Sequence, residues 1–435
     1  MSRLRKLIDV PFSLYYQQKL EKDQWNDPEE LRKIQFKKLK ALLRHAYNYV
    51  PRYHKAFFSA GIKPDDIKTF KDLRRLPLVT RRDVQQDFKN FITNGLDLSK
   101  LTLRTTSGST GIPLKIVSDK HPTPGSTKYP FFENGVKLRD NFVTIWGRAQ
   151  SIIWGSKATI LWGDISETIV PLFSEQKLTN LLKRIKPDVI LTFPSVLLSL
   201  SPYDLSGINP RLIFTQGEIV TPHCRYIVKK KFGLDLFEIY GSVEFGIMAF
   251  ECVEHLALHT ITDNVYIELL DKDGEPVSPE EQGEIVVTGL HNYNMPLIRY
   301  KIGDIGVFTN EICPCGRSWP LLKSIQGRSN DLLILPSGRK ISWLYLQRFI
   351  FYDKEFQKNL LGVSQYQIVQ DNRSRITINV VKGPNFDLNL LLRIKKNIEE
   401  FFAEQGEKLE VTVEIVKEIS MEKTGKRRLF ISKLL

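Results

Sequence analysis

The sequence predicts an α/β protein with a large, multilayer N-terminal region and a small α+β C-terminal domain. Strand-like and helix-like segments alternate through residues 175–240, which is typical of a mostly parallel sheet with helices on its faces. Residues 260–335 change to short strands separated by turns, as in an antiparallel sheet. After Arg328, strand-like segments flank an amphipathic helix. Because 435 residues exceed the length of one ordinary domain, we predict two domains, residues 1–328 and 329–435.

The first segment of the chain is predicted to be mainly helical. Asp27 followed by Pro28 indicates a helix start, because aspartate caps the first turn and proline suits its first position. Thr80 marks a later helix start. Two short strands should follow, Leu101–Thr106 and Leu114–Ser118, since both are bounded by turn-forming residues.

The middle of the chain supplies the predicted parallel strands. Val189–Phe193 is continuously apolar, as expected of a strand that is buried on both faces. Thr221 and Pro222 indicate the start of a helix that runs to Phe232, and the strand Leu236–Tyr240 should come next. The other predicted elements are the amphipathic helices Leu178–Ile185 and Leu388–Phe402 and the strands Leu212–Thr215, Gly283–Thr288 and Val411–Val416.

Composition predicts a globular protein of the cytoplasm. Apolar residues make up 42% and charged residues 26% of the chain, which excludes a disordered or fibrous protein. Four cysteines in so long a chain do not form a disulfide framework. Asp9 and Pro11 interrupt the first apolar stretch, so we expect no signal peptide. The longest apolar run, Val189–Leu200, is too short to span a membrane.

The net charge of +14 is compatible with nucleic acid, an anionic membrane surface or a polyanionic small substrate as a partner. The basic residues form short clusters, such as Lys229–Lys231 and Lys423–Arg428, and no long block. We interpret most of these clusters as solvated surface, so we do not expect nucleic acid as the partner. The sequence leaves the oligomeric state open.

A loop rich in glycine and hydroxyl residues lies between the first two predicted strands, at Thr105–Pro113. Glycines let the backbone approach a ligand, and clustered N–H and O–H groups form a concavity that binds anions. A Walker A loop would require a lysine before its last hydroxyl and a helix afterwards. Here Ile112, Pro113 and a strand follow, so we predict a phosphate loop of another kind. The alternative is an ordinary Ser/Thr/Gly-rich hairpin.

A second polar segment, Tyr240–Glu244, follows a predicted strand directly. Open α/β sheets bind ligands at the carboxyl ends of their strands, and a glutamate there can hold Mg²⁺ against phosphate oxygens. The alternative is a strand-to-helix turn in which Glu244 is merely solvated.

A metal site is also predicted from ligand chemistry, because thiolates and an imidazole together suit Zn²⁺. Its ligands would be Cys252, Cys313, Cys315 and either His255 or His259. The alternative is a set of free, buried thiols.

Five segments in a fixed order resemble motifs of the adenylate-forming superfamily, which includes acyl-CoA synthetases and adenylation domains. They are Thr105–Pro113, Tyr240–Glu244, Arg299–Asp304, Gly327–Asp331 and Lys423–Lys426. The stretches VPRYHKAFFSAGI and LPLVTRRDV and the Cys-x-Cys-Gly-Arg run resemble the phenylacetate–CoA ligase-like branch, including its capsule-biosynthesis relatives. The resemblance implies the fold of that superfamily, with a small C-terminal domain that moves between two half-reactions. It also implies that ATP and Mg²⁺ activate a carboxylic acid as an acyl-adenylate, which coenzyme A then captures.

The resemblance also implies a role for each matching residue. Glu244 would hold Mg²⁺, and Lys426 would bridge the substrate carboxylate and the α-phosphate. The resemblance assigns catalytic roles to Lys426, Glu244 and Thr106. His259 is favoured over His255 as the zinc ligand, because Leu258-His259 resembles the relatives' motif. Tyr240 would stack on adenine, Asp304 would bind both ribose hydroxyls, and Arg328 would lie beside the ribose and phosphate. The phosphates are assigned to Ser107, Gly108, Ser109, Thr110 and Gly111, and the rest of the nucleotide pocket to Gln216, Gly217, Glu218, Gly241 and Ser242.

Two other functions stay open at this point. The acceptor of the acyl group could be an amine, a sugar amino group or a carrier protein, as the capsule-associated relatives and Asn330 at the implied hinge suggest. A non-catalytic basic binding protein is the weaker alternative. The sequence does not identify the acid, but we expect residues 120–245 to supply the lining of its pocket.

Overall fold

The protein is described from a computed structural model that covers residues 15–105, 114–118, 123–126, 129–137, 139–145, 157–159, 166–170, 175–328, 332–343, 346, 363–383, 386–420 and 427–434. Helices and strands alternate in it as predicted, and a large sheet is accompanied by a smaller C-terminal sheet. The predicted α/β class is therefore confirmed.

The described α-helices and strands have the following bounds. The helices are Pro28–Tyr49, Pro51–Ser59, Arg81–Gln86, Tyr129–Glu133, Glu175–Ile185, Pro194–Leu200, Pro222–Phe232 and Leu388–Glu404. The strands are β1 (Thr102–Thr105), β2 (Lys115–Ser118), β3 (Asn141–Ile145), β4 (Lys157–Thr159), β5 (Ser166–Val170), β6 (Val189–Thr192), β7 (Leu212–Gln216), β8 (Leu236–Ser242), β9 (Gly246–Glu251), β10 (Leu258–Thr260), β11 (Val265–Leu270), β12 (Gln282–Gly289), β13 (Tyr300–Thr309), β14 (Leu321–Arg328), β15 (Leu332–Ile334), β16 (Lys340–Ser342), β17 (Val363–Asn372), β18 (Arg375–Lys382), β19 (Glu410–Ile415) and β20 (Phe430–Ser432).

The chain forms two compact units, and the first comprises Met1–Gly135 and Ile239–Ile325. Its strands follow one another in the order β11-β12-β13-β14-β10-β9-β8. Pairing is antiparallel among β11, β12 and β13, and again among β14, β10, β9 and β8. The antiparallel character predicted for residues 260–335 is thus confirmed. β1 and β2 form a separate antiparallel pair.

The helix Pro28–Tyr49 begins where the sequence predicts. The Asp27 side chain accepts hydrogen bonds from the backbone N–H groups of Glu29 and Glu30, each at 2.9 Å. Such a cap stabilises a helix by about 1 kcal/mol. The apolar face of this helix packs into the core of the first unit through Leu39, Leu42 and Leu43, all of which are fully buried.

The second unit comprises Val136–Glu238 and Gln326–Leu435. Strands β7, β6, β3 and β5 pair in parallel, and β4 adds an antiparallel edge. A second sheet has the order β19-β18-β17-β20, and the helix Leu388–Glu404 buries Ile398 and Phe402 in the core beside it. The domain boundary expected between residues 328 and 329 stays a prediction.

The long apolar run Val189–Leu200 folds as a strand followed by a helix. Pro194 occupies the first turn of the helix Pro194–Leu200, because its fixed φ angle suits that position and it lacks the N–H that a helix interior needs. Every residue of both elements is buried. Among the described residues, no helix is both long enough and apolar enough to cross a bilayer.

Candidate active site

Glu244 lies in the tight turn that joins β8 to β9. The Ser242 hydroxyl oxygen accepts a hydrogen bond from the Phe245 N–H at 3.2 Å, and Gly246 adopts a φ of +67°. A side chain other than hydrogen is disfavoured at that φ. The turn therefore leads into a second strand, and the alternative of a strand-to-helix turn is wrong.

The backbone at Gly125 packs closely against the same turn. A Cβ atom on Gly246 would lie 2.4 Å from the carbonyl oxygen of Gly125, and one on Gly125 would lie 2.4 Å from the carbonyl oxygen of Phe245. The Asn264 amide also donates hydrogen bonds to the carbonyls of Phe245 and Ile247, each at 2.9 Å. The Glu244 turn is consequently held both by backbone packing against Gly125 and by the Asn264 amide.

Asp304 lies in a bulge of β13. Ile305 pairs with Glu284 and Lys301 pairs with Val286, so three residues of β13 stand opposite Ile285 alone. Gly303, within this bulge, has a φ of +86°. Bulges redirect side chains and are frequent beside active sites.

The bulge brings Asp304 to Tyr240. The Tyr240 hydroxyl donates a hydrogen bond to Oδ2 of Asp304 at 2.8 Å, and Tyr240 itself is 8% exposed. These are the two residues that the sequence assigned to adenine and to ribose. The structure thus places both beside each other at the end of β8.

Tyr300 is a site residue to which sequence reasoning gave no role. Its hydroxyl donates a long hydrogen bond of 3.5 Å to Oε1 of Glu244. Burial raises the pKa of Tyr300, the charge of Glu244 raises it further, and Arg81 acts in the opposite direction. The phenol therefore stays protonated at neutral pH and can hold the Glu244 carboxylate in place. The sequence signal that could have identified Tyr300 was its position in the motif Arg299–Asp304, directly after Arg299.

Gln216, Gly217 and Glu218 follow β7 in the second unit. Gly217 has a φ of +83°, which explains the glycine at this turn. The Glu218 carboxylate accepts hydrogen bonds from the N–H and the hydroxyl of Ser195 at 2.9 and 3.0 Å and from the N–H of Arg427 at 3.1 Å. Sequence reasoning missed Ser195 and Arg427, because neither is near Glu218 in the chain.

Seven of the predicted site residues lie outside the described part of the chain. They are Thr106, Ser107, Gly108, Ser109, Thr110, Gly111 and Lys426. The strands on either side of the predicted phosphate loop are described, and Thr105 pairs with Lys115. The two strands predicted around this loop are therefore confirmed. Arg328 ends β14, but its side chain is not among those described.

Four predicted metal ligands converge within the first unit. The ligand atoms of Cys252, His259, Cys313 and Cys315 all lie within 4.8 Å of one another. The Cys252 and Cys313 sulfurs are 3.6 Å apart, and the Cys315 sulfur lies 3.3 Å from Nε2 of His259. In a tetrahedral zinc site, sulfur ligands about 2.3 Å from the ion are about 3.8 Å apart, and a histidine nitrogen lies about 3.6 Å from each sulfur, so the group fits such an ion. His255 is not part of this group and lies 3.4 Å from a carboxylate oxygen of Glu251.

The surroundings of this cluster suit metal ligands. Burial lowers the pKa of His259 to about 4, with a further contribution from Arg317, so the imidazole is neutral at pH 7. Burial raises the pKa of Cys315, but hydrogen bonds from the backbone and side chain of Arg317 outweigh burial and lower it. Arg317 is itself fixed by Gln24, at 2.6 Å, and by Glu133. All four cysteines of the chain are free thiols.

Comparison with known proteins relates the chain to two kinds of protein. A family model described as the CapK C-terminal domain matches residues 333–433. The phenylacetate-coenzyme A ligase of Aromatoleum evansii is 29% identical over 342 residues, which cover 71% of this chain and 72% of that protein. Protein CapK of Staphylococcus aureus is 24% identical over 450 residues, which cover 98% of this chain and 96% of that protein.

The fold also matches a solved structure. A crystal structure of 2-hydroxyisobutyryl-CoA ligase in the postadenylation state superposes with a TM-score of 0.78 at 18% identity, covering 95% of this chain and 92% of that one. The chain thus has the fold of the adenylate-forming ligases, and the resemblance to that superfamily is confirmed. Within that superfamily the chain is similar to phenylacetate-coenzyme A ligases and to Protein CapK, as the sequence resemblance predicts.

Proposed function

We propose that the protein is an AMP-forming acid–thiol ligase, which activates a carboxylic acid with ATP and transfers the acyl group to coenzyme A. The observation that carries this proposal is the similarity to phenylacetate-coenzyme A ligases over 71% of the chain. The contact between Tyr240 and Asp304 beside the Glu244 turn supports it, because it brings two of the expected nucleotide-binding residues together.

In the first half-reaction, a carboxylate oxygen of the acid attacks the α-phosphorus of ATP. The bond between the α- and β-phosphates breaks, and acyl-adenylate and pyrophosphate form. The protein contributes mainly positioning and charge stabilisation to such a step. Asp304 would accept hydrogen bonds from the ribose hydroxyls, and Lys426 would neutralise charge that develops between the carboxylate and the α-phosphate.

In the second half-reaction, the thiol sulfur of coenzyme A attacks the acyl carbon. The bond to the phosphate oxygen breaks, AMP leaves, and the thiol proton is released to solvent. Only the first half-reaction involves pyrophosphate, so the two can be measured separately.

Pyrophosphate exchange with a panel of acids tests the proposal. The panel should contain aryl acids and short aliphatic acids, with phenylacetate and 2-hydroxyisobutyrate among them. We expect at least one acid to support incorporation of labelled pyrophosphate into ATP, and coenzyme A to release AMP from the resulting complex. A complete absence of acid-dependent exchange across the panel, in protein that is folded, contradicts the proposal.

A second candidate differs only in the acceptor. The match of residues 333–433 to the CapK C-terminal domain and the similarity to Protein CapK over 98% of the chain favour it. The acyl group would then pass to an amine, a sugar amino group or a carrier-protein thiol. Mass spectrometry of the products, with coenzyme A and candidate amines offered together, separates the two. AMP release that depends on coenzyme A alone excludes this second candidate.

We propose that Glu244 holds the magnesium ion, which neutralises phosphate charge when it is bound. The Tyr300 contact keeps its carboxylate in the β8–β9 turn. Changing Glu244 to Gln removes the negative charge, so the Mg²⁺ concentration for half-maximal pyrophosphate exchange should rise at least about 10-fold. The exposed Glu254 is the matched control, and Glu254→Gln should leave the Mg²⁺ requirement unchanged. An unchanged requirement in Glu244→Gln contradicts the assignment.

We also propose that Cys252, His259, Cys313 and Cys315 hold a structural zinc ion. The mutual distances of their ligand atoms and the neutral imidazole support the proposal. The ion would join the loop between β9 and β10 to the loop before β14.

Metal analysis of protein purified without chelator tests the zinc site. We expect about one zinc per chain in the wild type and in His255→Ala, because His255 lies outside the ligand group. His259→Ala should lose most of the zinc, since three thiolates leave a tetrahedral structural site incomplete. Wild-type protein without zinc, or equal zinc in both histidine variants, contradicts the proposal.

The cytoplasm stays the expected location. The free thiols of all four cysteines fit a reducing compartment. Fractionation of cells together with cytoplasmic and periplasmic markers tests this expectation.

A further inference from the structure

A polar cluster in the second unit surrounds Glu218 and Arg427, and neither the fold nor the proposed chemistry has used it so far. Glu218 lies in the turn after β7 and accepts hydrogen bonds from two directions. The Ser195 N–H and hydroxyl donate from the first turn of the helix Pro194–Leu200, and the Arg427 N–H donates from the segment before β20. A charged acceptor strengthens each of these bonds relative to a neutral one.

The Arg427 side chain, like its backbone N–H, binds a carboxylate. Its Nη2 donates to Oε1 of Glu175 at 3.1 Å, and Arg427 is only 8% exposed. A buried guanidinium is costly unless it is paired, so Glu175 stabilises this placement of Arg427. The expectation that the basic cluster Lys423–Arg428 is solvated surface is therefore wrong for Arg427.

The segment is also fixed immediately downstream. β20 pairs in parallel with β17, so that Phe430 stands opposite Ile368. Arg427 is therefore anchored by the strand that follows it and by the carboxylates of Glu218 and Glu175. This anchor connects Arg427, which directly follows Lys426 in the sequence, to the turn at the carboxyl end of β7. Open α/β sheets bind ligands at the carboxyl ends of their strands.

We propose that Glu218 and Arg427 are positioning residues for the adenylation step: their hydrogen bond fixes Arg427, the residue that directly follows Lys426, at the turn after β7. The inference rests on the proposed function, because it assigns Lys426 a role in the first half-reaction. Neither residue touches the reacting atoms or the nucleotide in this account, so Glu218 has a positioning role in place of the nucleotide contact that the resemblance implied. Glu218 acts through the Arg427 backbone, and Glu175 acts through the Arg427 side chain.

The test compares Glu218→Ala and Arg427→Ala with the wild type, using the acid that gives the fastest pyrophosphate exchange. We expect kcat for exchange to fall roughly 10- to 100-fold, as misplacement of a catalytic group does, while the KM for ATP changes little. Acyl transfer from preformed acyl-adenylate to coenzyme A should keep its wild-type rate. Arg427→Lys should recover part of the exchange activity, because the contact to Glu175 is a single nitrogen–oxygen pair.

Amide hydrogen exchange supplies a readout that needs no substrate. The peptide that contains Arg427 should exchange faster in Glu218→Ala, since the N–H of Arg427 loses its acceptor. Glu410→Ala is the matched control, because Glu410 pairs with Arg375 on the surface of the same unit. It should change neither the exchange of that peptide nor either half-reaction.

The outcomes of these experiments distinguish failure of the positioning role from failure of the proposed ligase function. Unchanged amide exchange in Glu218→Ala overturns the anchor. Faster amide exchange with equal losses in both half-reactions overturns the positioning role and leaves a structural one. A wild type that supports no pyrophosphate exchange with any acid overturns the proposed function, and the positioning role with it, whatever the amide exchange shows.

Discussion

Replacing Lys426 by alanine should lower acid-dependent pyrophosphate exchange by roughly 10²–10³-fold, which is the usual effect of losing one preorganised donor to a transition state. The lysine is expected to neutralise charge as the carboxylate oxygen approaches the α-phosphate, so its removal should reduce kcat more than binding of ATP. Transfer from preformed acyl-adenylate to coenzyme A does not form that bond and should be much less affected. Radiolabel exchange and AMP release measure the two steps separately.

Lys417→Ala provides the control for this experiment. Lys417 is an exposed lysine in the same C-terminal part of the chain, and its replacement removes the same charge from the surface. We expect its effect on both half-reactions to be small. Near-normal pyrophosphate exchange in Lys426→Ala means that the role assigned to this lysine is wrong, even if the acid-activating function itself is present.

Replacing Arg299 by methionine should strongly reduce the stability of the protein. Arg299 is 3% exposed, and its guanidinium binds Glu268 through two hydrogen bonds of 3.1 Å. A third bond of 2.8 Å reaches the carbonyl of Leu76. Changing Arg299 to Met leaves Glu268 buried without its partner, so the free energy of unfolding should fall by about 3–5 kcal/mol. Urea denaturation followed by circular dichroism measures the loss.

Arg44 offers a matched comparison on the surface of the same unit. It binds Asp65 in a similar arginine–carboxylate pair, but both side chains are largely exposed. Arg44→Met should therefore cost at most about 1 kcal/mol. The double change Arg299→Met with Glu268→Leu should recover part of the loss, because it removes the unpaired carboxylate. Equal stabilities of Arg299→Met and Arg44→Met contradict this interpretation of the buried pair.

Local features of the fold were predictable from sequence, because their causes lie within a few residues. The Asp27 cap, the buried strand at Val189 and the helix start at Thr221 depend on neighbouring side chains and on apolar runs. The same is true of the β1 and β2 strands on either side of the predicted phosphate loop. Sheet order and the two compact units depend on contacts between distant segments, and no periodicity encodes those.

The candidate site was predictable to a similar extent. Ligand chemistry identified Cys252, Cys313 and Cys315, the family resemblance favoured His259 over His255, and the structure brings these four residues together. The approach of Tyr240 to Asp304 depends on a bulge whose register cannot be read from the chain. Glu218 was named as part of the nucleotide pocket, whereas Arg427 was only one member of a basic cluster and received no role. Only the fold shows that they bind each other.

The glycine pair formed by Gly125 and Gly246 sets a limit on redesign of this protein by directed evolution. A Cβ on Gly246 would collide with the Gly125 carbonyl, and a Cβ on Gly125 would collide with the Phe245 carbonyl. Any larger residue at either position must therefore displace the backbone around the turn that carries Glu244. Residues 120–245 are where the sequence places the lining of the acid pocket. A mutant library that aims to change which acid is accepted should therefore vary that segment while keeping these two positions invariant.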